Sequence, residues 1–352
     1  LAEKPNILVV GAGIIGASIA WHLVRHGARV TAIDAGDPGG IATRTSWAWI
    51  NASWGNPEPY FRLRVHAMEE WRRLERELPT VRVAWTGSLN WELPADRLEG
   101  FAAQHAAWGY DVRCVDRAQA ARIEPSLADP PRLAVHAPRE GAVEPLDVTR
   151  QLLSAARAHG ATLVAGRAAR SLEVQAGRIV GIDTDGGRLS ADMVVVAAGA
   201  GAAELVATAG LALPVSAPPA LLAATKPLPQ LLNGLIMTPE LQLRQAADGR
   251  LVAAASADAG VDLLAAIKAL FRPDVAMALD FQVTGRRPIP NDRLPLVGRA
   301  VSLDGLYVAV THSGITLAPA VGSMVAEEIV TGRRHPLLEP FGLARQQRQA
   351  RP

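Results

Sequence analysis

Three glycines near the start of the chain, Gly11, Gly13 and Gly16, stand in the spacing G-x-G-x-x-G, and one carboxylate, Asp34, follows the last of them by eighteen positions. In such a set the first glycine permits a tight turn, the second lets a pyrophosphate approach the backbone, and the third lets a helix pack closely on a strand. The turn formed by Gly11, Gly13, Ile14, Ile15 and Gly16 would present helix N–H groups to phosphate oxygens. Asp34 would accept from both ribose hydroxyls and repel a 2′-phosphate. This is dinucleotide-binding chemistry, and alone it does not separate FAD from NAD. At the other end of the chain, His312-Ser313-Gly314 forms a small polar turn inside residues 307–330, which carry no carboxylate or strong cation before Glu327. His312 either contacts a ligand there or fills a polar niche.

The elements around the glycines read as a βαβ unit. Residues 6–10 are a short apolar run suited to a buried parallel strand, a helix starts after Gly13 and closes near Gly27, and residues 28–34 form the next strand. A Gly/Ser/Thr-rich passage, residues 36–55, follows with Trp47, Trp49 and Trp54. Trp47 and Trp49 would share a face if extended, as a wall of a ligand site or as packing between domains. Later, an amphipathic helix beyond residue 147 leads to two strands with turns at Gly177 and Gly186-Gly187, then to an apolar strand, 193–197, ending in Ala198-Gly199. Small residues there permit close approach by a cofactor or a crossing chain. The segment 81–138 predicts a strand within WTGSLNWEL, a helix over 95–108, a strand around Val112 and a helix near Ala118. The segment 211–284 predicts a hairpin turning at Asp248-Gly249. The C-terminal part predicts a strand over 306–311 and a helix from about Ala318 to Thr331, with Pro319 in its first turn.

Composition narrows the partners. The chain has 352 residues, enough for two domains and a large core, with 49% apolar and 20% charged residues and a formal net charge of +2. That balance suits a globular enzyme and points to no nucleic acid. Cys114 is the single cysteine, which excludes an internal disulfide framework and thiolate metal clusters and suits a reducing cytoplasm. No metal is expected. The uncharged windows are interrupted by prolines or glycine turns, so no transmembrane segment is expected, with peripheral membrane contact left open.

The order of these pieces resembles the glycine oxidase, sarcosine oxidase and D-amino acid oxidase family of FAD enzymes. Thr45 and Ser46 match the family's T-S-like pair, which contacts the FAD phosphates and ribityl chain. Ala169 stands where the family offers backbone atoms to adenine, and Ala198-Gly199 matches its A-[TA]-G strand end. Gly285, Arg287, Pro288, Asp292, Pro295 and Gly298 match its G-x-R-P…D…P-x-x-G passage, in which the arginine before proline binds the substrate carboxylate. Arg287 inherits that role by resemblance, and a planar guanidinium with two parallel donors is suited to it. Leu317, Ala318, Pro319, Ala320 and Gly322 match the family's final motif. The resemblance places Gly314, Ile315, Thr316 and Leu317 at the flavin, where free helix N–H groups stabilise the negative charge of the reduced pyrimidine edge.

The resemblance implies an α/β fold in which a Rossmann-like FAD-binding domain, residues 1–80, 139–210 and 285–352, is interleaved with a mixed α+β substrate domain, residues 81–138 and 211–284. It implies non-covalent FAD and oxidation of the C–N bond of a small amino acid or N-alkyl amino acid by hydride transfer to flavin N5, with Arg287 and His312 at the reacting end. Two rivals stay open: a 2-hydroxy-acid oxidoreductase with His312 as base, and a flavin-bearing subunit of a hetero-oligomer. Oxygen, a quinone or a partner chain would accept the electrons, and a homo-oligomer is compatible. Several relatives place a tyrosine over the substrate; none lies between residues 211 and 284 here.

Overall fold

The computed structural model describes residues 4–53, 55–272 and 276–345, so Trp54 lies outside the described residues. The apolar run Asn6–Val10 forms the strand its composition predicts, and four of its five residues are buried. It pairs in parallel with Arg29–Ile33 on one side and Met193–Val196 on the other. Thr162–Val164 and Leu306–Val310 extend this parallel sheet, and Leu296–Arg299 closes it as an antiparallel edge. Continuous apolar strands of this kind need cover on both faces. One face is covered by the helices Ile14–Arg25, Pro145–Ala158 and Gly314–Thr331. The other is covered by a three-stranded sheet, 169–175, 178–184 and 189–190, whose Leu172, Ile179 and Ile182 pack on Leu8, Val194 and Val308.

The helix Ile14–Arg25 starts after Gly13, as the glycine spacing requires. Gly11 has φ +105°, and a Cβ there would lie 2.5 Å from the carbonyl oxygen of Ala197. A Cβ on Gly16 would lie 1.8 Å from the carbonyl oxygen of Gly11, so this helix touches its turn through bare backbone.

The C-terminal helix differs from the sequence expectation. It spans Gly314–Thr331, starting four residues earlier, and Pro319 sits inside it rather than in its first turn. A proline at that position cannot donate to the carbonyl of Ile315. Trp71, on the helix Glu58–Glu77, supplies the missing donor: its Nε1 donates to the carbonyl oxygens of Ile315 and Thr316, each at 3.0 Å. A tertiary contact thus makes an interior proline tolerable.

Strands from residues 81–138 and 211–284 join in one eight-stranded sheet. Its order is Leu279–Arg286, Pro219–Thr225, Leu251–Ser256, Gln242–Gln245, Leu235–Met237, Ser88–Asn90, Leu133–Ala137, Arg113–Asp116. Leu235–Met237 and Ser88–Asn90 pair in parallel and stitch the two segments together. The hairpin at Asp248-Gly249 forms as its sequence predicts, with Gln242–Gln245 antiparallel to Leu251–Ser256. One face of this sheet packs on Leu263 and Ile267, the other on Trp47 and Ala142. Among the described residues no helix is long and apolar enough to cross a membrane.

Candidate active site

A cavity of about 1130 Å³ runs from the glycine turn to the C-terminal end of the parallel sheet and under the eight-stranded sheet. Pockets for one drug-sized ligand are roughly 300–1,000 Å³, so this one has room for a dinucleotide and a small second molecule. Of the cofactor-binding residues expected from sequence, Gly11, Gly13, Ile14, Ile15, Asp34, Thr45, Ser46, Ala169, Ala198, Gly199, Gly314, Ile315 and Thr316 line it. Arg287 and His312 line it too. Gly16 and Leu317 do not: Gly16 abuts the carbonyl of Gly11, and Leu317 is fully buried in the helical core, so both support the wall from behind.

The nucleotide end is built from backbone. Gly13 gives the first helix no side-chain cap, which leaves its N-terminus available to an anion. Thr43 accepts from the Ile14 N–H at 3.1 Å, a partner that the sequence reading missed. Asp34 holds the turn directly, with Oδ2 accepting from the Ala12 N–H at 2.7 Å and Oδ1 from the Gly36 N–H at 3.0 Å. Thr45 donates its hydroxyl to the carbonyl of Ile41 at 2.9 Å, and Ser46 Oγ accepts from the Ala48 N–H at 3.1 Å. A Cβ on Gly285 would fall 2.0 Å from Thr45 Oγ1, which explains a glycine where the strand Leu279–Arg286 crosses this loop.

Ala48 has φ 72°, so the Trp47–Trp49 segment is not extended. The two rings still meet, with centroids 5.5 Å apart at 43°. Two buried charges that sequence reading did not single out fix them. Glu140 is fully buried and accepts from Trp49 Nε1 (2.9 Å), Ser88 Oγ (2.6 Å), Tyr110 Oη (2.9 Å) and the N–H groups of Ala52 (3.3 Å) and Ser53 (3.0 Å). Arg244 donates to the carbonyl of Trp47 at 2.6 Å and forks onto Glu144 at 2.6 and 3.2 Å. Gln242 lies on the same face of its strand as Arg244 and lines the cavity.

The reacting end is cationic. Arg287 is half-buried, and burial lowers the pKa of its guanidinium. Among the described residues no carboxylate pairs with it. Arg286 also lines the cavity, but it is exposed and donates to the carbonyl of Ala217 at 3.4 Å. The loop beyond Arg287 is pinned by Asp292, which receives Arg345 in a two-pronged pair at 2.8 and 3.2 Å. His312 is an exposed residue that lines the cavity. Burial, then the nearby guanidiniums of Arg287, Arg64 and Arg293, hold its pKa down at about 4, so the ring is neutral near pH 7.

Arg64 is the most informative residue that sequence reading passed over. It is 6% exposed on the helix Glu58–Glu77, where it shares a face with Ala67, Met68 and Trp71. Its Nε donates to the carbonyl of Asn51 at 3.1 Å and its Nη1 to Ser313 Oγ at 2.6 Å. An arginine in the middle of an apolar helical stripe was the available signal. Among the described residues no cluster of three or more His, Cys, Asp or Glu could hold a metal ion.

This donor set fits a dinucleotide flavin: a bare helix N-terminus with an acid beside it, a second helix N-terminus, and a polar turn beside a cationic recess. The family described as FAD dependent oxidoreductase (DAO) matches residues 6–328. The uncharacterized oxidoreductase YurR of Bacillus subtilis (strain 168) is 31% identical over 96% of this chain and 98% of its own length. A glycine oxidase of Geobacillus kaustophilus (strain HTA426) is 28% identical over 98% of each chain. The crystal structure of glycine oxidase from Geobacillus kaustophilus superposes with a TM-score of 0.89 at 25% identity, covering 97% of this chain and 99% of that one.

Proposed function

The chain belongs to the DAO family of FAD dependent oxidoreductases, and from that premise we propose that it oxidises the C–N bond of a small amino acid or N-alkyl amino acid. The observation that carries this reading is Arg287, a half-buried guanidinium with no carboxylate partner among the described residues, lining the same cavity as the turn at His312-Ser313-Gly314. A desolvated fork of this kind recognises a carboxylate in two parallel hydrogen bonds.

FAD, when bound, supplies the hydride acceptor at N5. The chain supplies position and field. Arg287 would hold the substrate carboxylate and so fix the α-carbon, which accounts for much of the rate if the amine arrives unprotonated. The Gly314–Thr331 helix presents its N-terminus to the cavity and would favour negative charge there. Trp47 and Trp49, with Gln242 beside them, wall the cavity under the eight-stranded sheet and limit water. His312, neutral and flanked by three arginines, can donate or accept a hydrogen bond but is a weak base. That weighs against a 2-hydroxy acid, whose hydroxyl proton needs a base, and toward an amine, which needs none once unprotonated. FAD would be held without a covalent link: Cys114 lies on the strand Arg113–Asp116, outside the cavity wall, and Ala48 offers no nucleophile.

Anaerobic bleaching of the yellow protein by a panel of amino, N-methyl amino and 2-hydroxy acids tests this. Bleaching by amino or N-methyl amino acids, with FAD released intact by acid, is the expected result. Bleaching by hydroxy acids alone would move the reaction to the C–O bond.

A further inference from the structure

Arg64 is a cation in search of a counter-ion. It is 6% exposed, and among the described residues no carboxylate pairs with it. Its hydrogen-bond partners, the Asn51 carbonyl and Ser313 Oγ, are neutral. Glu140, which holds the next residues of the same loop, already receives five donors, and Arg64 is not among them. Arg64 also converges with a second positive element. Ser313 is the N-cap of the helix Gly314–Thr331 and makes no side-chain cap bond to it, so the helix keeps its free N–H groups and the positive end of its dipole. A buried guanidinium beside a helix N-terminus is a like-signed pair. Burying a charge without compensation is costly. Both elements line the same large cavity, where a bound ligand can bring negative charge.

We propose that Arg64 is a redox-tuning residue: with the N-terminus of the Gly314–Thr331 helix, it is the standing counter-charge for the negative charge that FAD gains on two-electron reduction. Oxidised flavin is neutral in its ring and reduced flavin carries charge on its pyrimidine edge, so a fixed cation favours the reduced form. Tethering by Asn51 and Ser313 keeps Arg64 in place before reduction, and no reorganisation is needed when the charge arrives. The inference rests on the FAD cofactor of the family and is independent of the proposed substrate. Arg287 serves the substrate and Arg64 the cofactor.

The test uses the holoenzyme without substrate and reads the two-electron midpoint potential and the affinity of the bound flavin for sulfite. Arg64→Gln should weaken sulfite binding about ten- to hundred-fold, the range of one charge-assisted hydrogen bond. The potential should fall by about 30 to 60 mV, since tenfold corresponds to roughly 30 mV for a two-electron couple. Arg64→Lys, which keeps the charge, should recover most of both. Ser313→Ala, which removes the tether and leaves the charge, should move them far less. If Arg64→Gln does not retain FAD, the Lys and Ala variants decide between charge and tether. A fall of about 30 to 60 mV in Ser313→Ala or in Arg64→Lys, both of which keep the charge, would overturn the proposal. So would an unchanged potential in FAD-replete Arg64→Gln, and if that variant lost affinity for carboxylate ligands instead, the cation would belong to the substrate.

Discussion

Replacing Trp71 with Phe removes the indole N–H that reaches the carbonyl of Ile315, where Pro319 at the helical partner position has no N–H to give. Leaving that buried acceptor unpaired costs about 1 to 3 kcal/mol, and the smaller ring adds a packing loss on the order of 1 kcal/mol. Trp71→Phe should therefore destabilise by roughly 2 to 4 kcal/mol. Pro319→Ala restores a backbone N–H aimed at the same carbonyl. In the wild type that N–H competes with the indole and brings little, whereas in the Trp71→Phe background it fills the vacancy. A double-mutant cycle by urea unfolding of the four holoproteins should give a favourable coupling of about 1 to 3 kcal/mol. The Gly314–Thr331 N-terminus faces the cavity, so FAD affinity should fall in Trp71→Phe and recover in the double variant. Coupling within about 0.5 kcal/mol, the range of independent sites, would refute the reasoning and leave the proline unexplained.

Other outcomes follow from the same geometry. Glu140→Gln offers one oxygen where the carboxylate offers two, so at least Trp49 Nε1 or the Ala52 and Ser53 N–H groups lose their acceptor. Thermal unfolding should show a stability loss of roughly 3 kcal/mol or more, and an unchanged Tm would mean the loop is held by other contacts. Asp34→Ala should raise the dissociation constant of FAD from the folded apoprotein about ten- to hundred-fold; equilibrium titration with FAD reads it, and an unchanged value would remove Asp34 from the site. His22 is buried, bonded through Nδ1 to the Ser18 carbonyl at 2.8 Å, and burial lowers its pKa from 6.5 to about 4. The unfolded chain then binds the proton first, so this contribution to stability is complete above pH 6.5 and is lost as pH falls toward 4, by up to about 1.4 kcal/mol per pH unit. His22→Gln should flatten the stability profile between pH 6.5 and 5, and a profile equally steep without His22 would assign the slope to other groups.

The nucleotide half of the molecule is legible because its signals are local. An apolar run, a glycine turn, an amphipathic helix and a terminal acid each act within a few residues, and the strand Asn6–Val10 and the helix Ile14–Arg25 stand where those signals put them. The start of the Gly314–Thr331 helix was not legible, because the donor that permits Pro319 comes from Trp71, 244 positions away from Ile315. Trp47 and Trp49 meet as an extended pair would, but through a left-handed Ala48 held by distant partners that include the carbonyl–Arg244 and indole–Glu140 contacts. Arg64 left a trace in the sequence as a charge on an apolar stripe, but its partner Ser313 is brought to it only by the fold.

The central claim is that a carboxylate-bearing amine is held by Arg287, and rapid anaerobic flavin reduction in Arg287→Ala tests it most directly. Losing a charge-assisted hydrogen bond costs about 1.5 to 3 kcal/mol and stranding a buried carboxylate roughly 3 to 5 kcal/mol. At about 1.4 kcal/mol per decade, kcat/KM for the carboxylate substrate should fall about ten- to thousand-fold with FAD still bound. Arg287→Lys should recover part of it, since one ammonium cannot reproduce a planar fork. The methyl ester of the same amine should be a poor substrate for the wild type and nearly indifferent to the substitution. Equal losses on acid and ester would contradict the account and make Arg287 a residue that shapes the cavity.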